Sequence, residues 1–255
     1  MSSGGGTVVL SLDLAHWPAL LLGALAVFTG SLIQASTGLG LGMIAAPILL
    51  LIDPRLVPGP LLVLALLVSS LIAWREREAI DVRGLSYALV GRVPGTVVAG
   101  LAISLLPLAT YSLLFGALVL GAVLLSASGW RVQPTRPNLL VAGFASGFMG
   151  TLTSIGAPPL ALAYQHGAAA SIRATMAAFF VLGSAFSLVV LAHFGRFSAT
   201  EGLAAAVFVP PLLAGFWLSG RVVPRISNRR ARQAVLGLSG LSATLLIGKT
   251  LLAGV

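Results

Sequence analysis

Two runs of glycine, hydroxyl and proline residues hold most of the chain's capacity to bind a ligand. The first reads Gly30-Ser-Leu-Ile-Gln34-Ala-Ser-Thr37-Gly38-Leu-Gly40-Leu-Gly42, followed by Pro47. The second reads Ser146-Gly-Phe-Met-Gly-Thr151-Leu-Thr153-Ser154-Ile-Gly156-Ala-Pro158-Pro159. Glycine lets backbone come close to a ligand and proline interrupts a helix, so each run can expose helix ends whose NH groups attract an anion. Gln34, Thr37, Thr151, Thr153 and Ser154 add side-chain donors beside Gly38, Gly40, Gly42, Gly156 and Pro158. Close helix packing would account for one such run, because small residues let membrane helices approach. Two runs at matching places favour a binding role. Gly91-x-x-x-Gly95 and Gly143-x-x-x-Gly147 read as packing alone.

Arg92 is the one basic residue well inside an apolar stretch. A cation at that depth is costly unless it faces protein or water and has a partner. The six acids lie at the ends of apolar segments or between them, so an anionic substrate would supply the missing charge. The alternative is that the helix begins later and Arg92 snorkels to the surface. Both readings stand on sequence alone. Arg173 opens another apolar segment and either reaches the second run or is a loop cation of the inner membrane face.

Other chemistries find no support. There is no cysteine, hence no thiolate or disulfide, and His16, His166 and His193 have no metal-ligand spacing. No nucleophile and base pair is visible, so an enzyme is not expected, nor any cofactor or metal. Residues 243–250 loosely match a phosphate loop but lie in an apolar segment near the end of the chain, which is the wrong context. Buried carboxylates that relay protons are missing, which disfavours direct proton coupling. Sodium held by carbonyls and hydroxyls, or passage down a gradient, remains open.

The elements that must position these residues are membrane helices. Of 255 residues, 58% are hydrophobic and 8% charged, too few charges to cover a soluble domain of this size. The excess of 15 basic over 6 acidic residues then reads as a topology signal, not as a nucleic-acid surface. Eight apolar segments span roughly 17–52, 58–74, 84–106, 111–129, 138–164, 174–193, 202–220 and 234–253. Each should be helical, because in lipid a helix satisfies its own backbone. The first and fifth are overlong and interrupted by the two glycine runs. The opening residues lack the basic region and cleavage site of a signal peptide.

The runs align at an offset of 116 residues, with Thr37–Gly42 falling on Thr153–Pro158. Each half has one broken segment followed by three plain ones, so the chain reads as a duplication, 1–137 and 138–255, within one membrane domain. Arginine placement tests the topology. If every segment crosses once, arginines divide almost evenly between the two sides. If the two broken segments go in and return, Arg75, Arg77, Arg83, Arg131, Arg136, Arg173, Arg221, Arg225, Arg229, Arg230 and Arg232 share one side. Only Arg55 and Arg196 are then left on the other. The second arrangement obeys the positive-inside rule. It makes the halves inverted repeats, each beginning with a re-entrant or discontinuous helix, with both termini outside. The fold class expected is therefore an all-α integral membrane protein of about eight apolar segments in two inverted repeats.

Thr37-Gly-Leu-Gly-Leu-Gly42 with Pro47, and Ser146 to Leu160 in the second half, resemble the signatures of the sulfite exporter family (TauE/SafE). Length, segment number and the two-half plan match that family across nearly the whole chain. Ser154 and Ala157 stand where its members usually carry glycine. The resemblance implies a multi-pass permease of the bacterial inner membrane for small anions such as sulfite, sulfonates or related organic acids. Its partners would be the anion, the bilayer and, if coupled, sodium; oligomeric state is not legible. The competing readings are an anion channel, whose flux would not saturate, and a non-transporting assembly subunit, which would not need two matched breaks.

The folded-back arrangement predicts opposite sides for two positions that single crossings would put together. In this cysteine-free chain, Arg196→Cys should react with an impermeant thiol reagent applied to intact cells, and Arg136→Cys should react only after permeabilisation. Equal labelling of both from outside would refute the arrangement.

Overall fold

The computed structural model describes residues 17–130, 132–165 and 167–222, with 233, 236–237, 239–245 and 247–248. Both termini, His16, His166, Arg131, Arg225, Arg229, Arg230, Arg232 and part of the eighth apolar segment fall outside the described residues. Every named element is helical. In chain order these are α1 (Trp17–Thr37), α2 (Leu41–Ile52), α3 (Gly59–Arg75), α4 (Val82–Leu105) and α5 (Leu108–Ala127). They are followed by α6 (Arg136–Thr153), α7 (Ala157–Tyr164), α8 (Ala169–His193), α9 (Ala199–Ala206) and α10 (Val209–Val222).

The protein is an all-α, multi-pass membrane protein. Among the described residues, α1, α3, α4, α5 and α8 are long and apolar enough to cross a membrane. The pair α9 and α10, bent by 51°, makes a sixth crossing if counted as one. Of the eight apolar segments expected, the eighth is described only in part, and three of the others are broken. The first segment divides into a full-length helix, α1, and the shorter apolar α2. The fifth divides into α6, with Arg136 and Asn138 in its first turn, and the 8-residue α7. The seventh is broken too, where Pro210 and Pro211 lack the NH groups an uninterrupted helix needs but fit the first turn of α10.

Both broken segments fold back on themselves. Gly30 of α1 packs on Leu41 and Gly23 on Leu49, so α2 runs antiparallel to α1. The start of α7 lies beside α6, where Ser146 Oγ donates to Gly156 O at 2.5 Å. Its far end, Tyr164, reaches Asp81 at the start of α4.

Two pairs of helices pack closely in parallel. A Cβ on Gly91, Gly95, Gly143 or Gly147 would stand 2.0–2.5 Å from a carbonyl oxygen of the facing helix (Leu140, Phe144, Ala88 and Arg92 respectively). These pairs make α4 and α6 parallel and in backbone contact. At a second interface Gly23 of α1 lies against the Phe208 ring just before α10, and Gly215 of α10 meets the Phe28 carbonyl, so α1 and α10 are also parallel; Ser31 Oγ donates to Leu212 O at 2.7 Å between them. Helices α3 and α8 pair antiparallel, with Glu76 beside Arg173 at one end and Gly59 beside Phe197 at the other. The outer face carries exposed Leu21, Leu25, Val90, Leu101, Leu124 and Val189, as a lipid-facing surface should. Trp17, Trp74 and Trp130 are exposed at or beside helix ends, where the ring suits the membrane interface.

Backbone contact between α4 and α6 leaves no space for a methyl group. Gly143→Ala should therefore lower the thermal unfolding temperature of the purified protein by an amount equivalent to about 1–3 kcal/mol of overpacking. Gly121→Ala on α5, where a Cβ meets nothing within 4 Å, is the same chemical change and should leave it unchanged or slightly raised. Equal behaviour of the two variants would contradict the packing described.

Candidate functional site

The first break is built by three glycines and one glutamine. Gly38 NH donates to Gln34 O at 2.8 Å, closing α1. Gly38 and Gly40 then take φ values of 87° and 156°, positive values that a side chain disfavours. Gln34 bridges the break: its amide donates to Ser69 Oγ, and its carbonyl accepts from Leu41 NH, each at 3.1 Å. One of the unpaired NH groups at the start of α2 is thereby satisfied. Thr37 Oγ1 donates within its own turn, to Leu39 O at 2.7 Å.

The second break uses hydroxyls where the first uses glycine. Ser154 is left-handed at φ 61°, with its NH bonded to Gly150 O. A left-handed backbone is one that glycine adopts freely and that serine takes only at a cost. Here Ser154 Oγ donates to Pro58 O at 3.1 Å, anchoring the turn to the segment before α3. Thr153 Oγ1 donates to Met149 O and accepts from Ile155 NH. Ala157, the other departure, is the first residue of α7 and needs no special backbone. Pro158 and Pro159 follow in the first turn, where a missing NH does little harm.

The two breaks touch. A Cβ on Gly42 would lie 2.1 Å from Ser154 O. The N-terminal ends of α2 and α7, capped by Gly40 and Gly156 without side-chain bonds, line one small cavity of about 30 Å³. Helix N-termini carry partial positive charge.

Arg92 completes this cavity. It is 2% exposed, so it does not snorkel to a surface, and Gly183 of α8 makes room for it. A Cβ at Gly183 would stand 2.1 Å from Arg92 Nε. The guanidinium lies 4.8 Å from the centre of the Phe179 ring, a favourable cation–π contact. Nη2 donates to Ser187 Oγ at 3.3 Å. Ser187 continues to Thr151 at 2.8 Å and Thr151 to Thr96 at 3.4 Å. Nε and Nη1 are buried and have no hydrogen-bond partner among the described residues. A guanidinium here has spare donors, two positive helix ends for neighbours and, among the described residues, no carboxylate beside it. That arrangement can hold a small oxyanion.

The residues singled out from sequence divide into three groups. Gln34, Gly40, Gly42, Arg92, Ser154 and Gly156 line the cavity just described. Thr37, Pro158 and Arg173 line a second, larger cavity of about 320 Å³. There Arg173 Nε is held by both oxygens of Glu76, at 3.0 and 3.1 Å. Glu76 also pairs with Arg75, whose Nη2 donates to Ala35 O at the end of α1. Thr151, Thr153 and Gly38 line neither cavity. Thr151 stands behind Ser187, Thr153 pins the second break, and Gly38 abuts the Arg173 backbone.

Several residues of the small cavity carried no signal as motifs. Phe180 and Ser184 line it from α8, Met43 from α2, and Leu62 and Ala65 from α3. Gly183, Ser184 and Ser187 recur at helical spacing on one face of an otherwise apolar segment. That polar stripe was the available clue.

Helical hairpins broken at glycine, enclosed by crossing helices around a buried cation, define a polytopic membrane transporter. The whole arrangement lies within residues 22–246, which match the family described as sulfite exporter TauE/SafE. The chain belongs to that family, and it is a membrane permease for small anions, not an enzyme. No curated protein and no solved structure gives a significant match.

Proposed function

We propose that the permease binds its anion in the small cavity, between the N-termini of α2 and α7 and against Arg92. The observation that carries this reading is the pair of buried Arg92 donors without a partner, Nε and Nη1. Gln34, Gly40, Gly42, Ser154 and Gly156 form the surrounding wall. Thr151 positions Ser187 against the guanidinium, and Thr153 and Gly38 hold the breaks open. Thr37, Pro158 and Arg173 act on the approach through the larger cavity. The substrate class is a small sulfur oxyanion, a sulfonate or a related organic acid. A planar guanidinium grips such oxygens with two parallel bonds.

The same reading takes 1–137 and 138–255 as inverted repeats in a bacterial inner membrane, with both termini outside. Three features support it: two folded-back hairpins, the reciprocal pairing of α1 with α10 and α6 with α4, and the arginine distribution. Sodium coupling fits the lack of buried carboxylates among the described membrane helices. A channel would share this architecture, and saturating flux separates a carrier from it.

The test uses full-length protein in liposomes with radiolabelled sulfite. Losing one charge-assisted hydrogen bond costs ~1.5–3 kcal/mol, so Arg92→Gln should raise the half-saturating concentration by roughly ten- to a hundredfold. Arg92→Lys should be only partly tolerated. Saturable flux with unchanged half-saturation in both variants would remove Arg92 from the site.

A further inference from the structure

Met43 is, among the described residues, the one side chain that lines both cavities. The inner cavity, at about 30 Å³, has room for about two waters and must widen before an oxyanion can enter. Its backbone walls are closely packed. Gly42 already lies against the Ser154 carbonyl, and Gly147 against that of Arg92. Side chains are the part of the wall that moves at lowest cost, and the larger cavity beside Arg173 is the space they can open toward.

Met43 sits on that boundary, in the first turn of α2, and is 2% exposed. Ser239 Oγ donates to its carbonyl at 2.5 Å, which fixes the backbone and leaves the side chain as the movable part. Methionine is unbranched, with three rotatable bonds, and changes rotamer at low cost. Leu62, Ile155 and Phe180 line the inner cavity without reaching the outer one.

We propose that Met43 is the gate and size-selecting residue between the two cavities. The outer cavity, about 320 Å³ with Arg173 in its wall, receives the anion. Rotation of the Met43 side chain then admits it to Arg92. The bulk at position 43 sets both the rate of passage and the largest anion that passes. This inference rests on the reading that the inner cavity holds the anion.

Accessibility of single cysteines in the full-length, cysteine-free chain tests it. Ser184→Cys reports on the inner cavity and Ala161→Cys on the outer. With a neutral methanethiosulfonate, Met43→Ala should speed modification of Ser184→Cys by about tenfold or more, and Met43→Phe should slow it comparably. Ala161→Cys should react at one rate in every background. Should Met43→Phe not fold, the comparison of Met43→Ala with the parent decides alone. Modification of Ser184→Cys at the same rate whatever stands at position 43 would overturn the gate. Protection of Ser184→Cys by sulfite is read separately. Its absence, with rates still following residue 43, would overturn the binding reading and leave the gate standing.

Discussion

A guanidinium buried among apolar helices loses its hydration, a penalty of several kcal/mol even after relaxation. Arg92 recovers part of this from the Phe179 ring and Ser187. Among the described residues no carboxylate completes the compensation. The rest of the centre is organised around that deficit. Gly183 clears space, Thr151 and Thr96 extend the hydroxyl chain, and two helices begin at the cavity with glycine caps that bring no side-chain acceptor. An anion placed there would supply the missing compensation.

Glycine serves two separate purposes here. Along α4 and α6 it brings backbones into contact, and those helices then carry Arg92 and the second break in fixed relation. At Gly38 and Gly40 it supplies positive φ and lets α1 turn back into α2. The contact of Gly42 with Ser154 joins both purposes, since it holds the two breaks together and aligns the starts of α2 and α7. The backbones around the site are thus in close contact.

Much of this was legible in the sequence. The two glycine runs marked both breaks, because positive φ and proline leave direct traces in composition. Arg92 stood out as a lone cation in an apolar stretch, although sequence could not separate burial from snorkelling. Burial depends on Gly183, far along the chain, which looked like any packing glycine. The bend in the seventh segment was less legible. Hydropathy treats 202–220 as one span, and the Pro210-Pro211 pair was not read as the bend it makes. Nor could composition show that Thr37, Pro158 and Arg173 line a different cavity from Gly40 and Gly156. Residues adjacent in a motif point to opposite sides of a helix break, and that separation exists only in three dimensions.

The central claim is that an anion binds at Arg92. Ligand-induced stabilisation of the purified protein measures this without transport, because a ligand that binds only the folded state raises the unfolding temperature with concentration. Sulfite should raise it progressively in the parent chain and in Arg173→Gln, whose substitution lies outside the inner cavity. The rise should be largely lost in Arg92→Gln. An equal, concentration-dependent rise in Arg92→Gln and the parent would contradict the account.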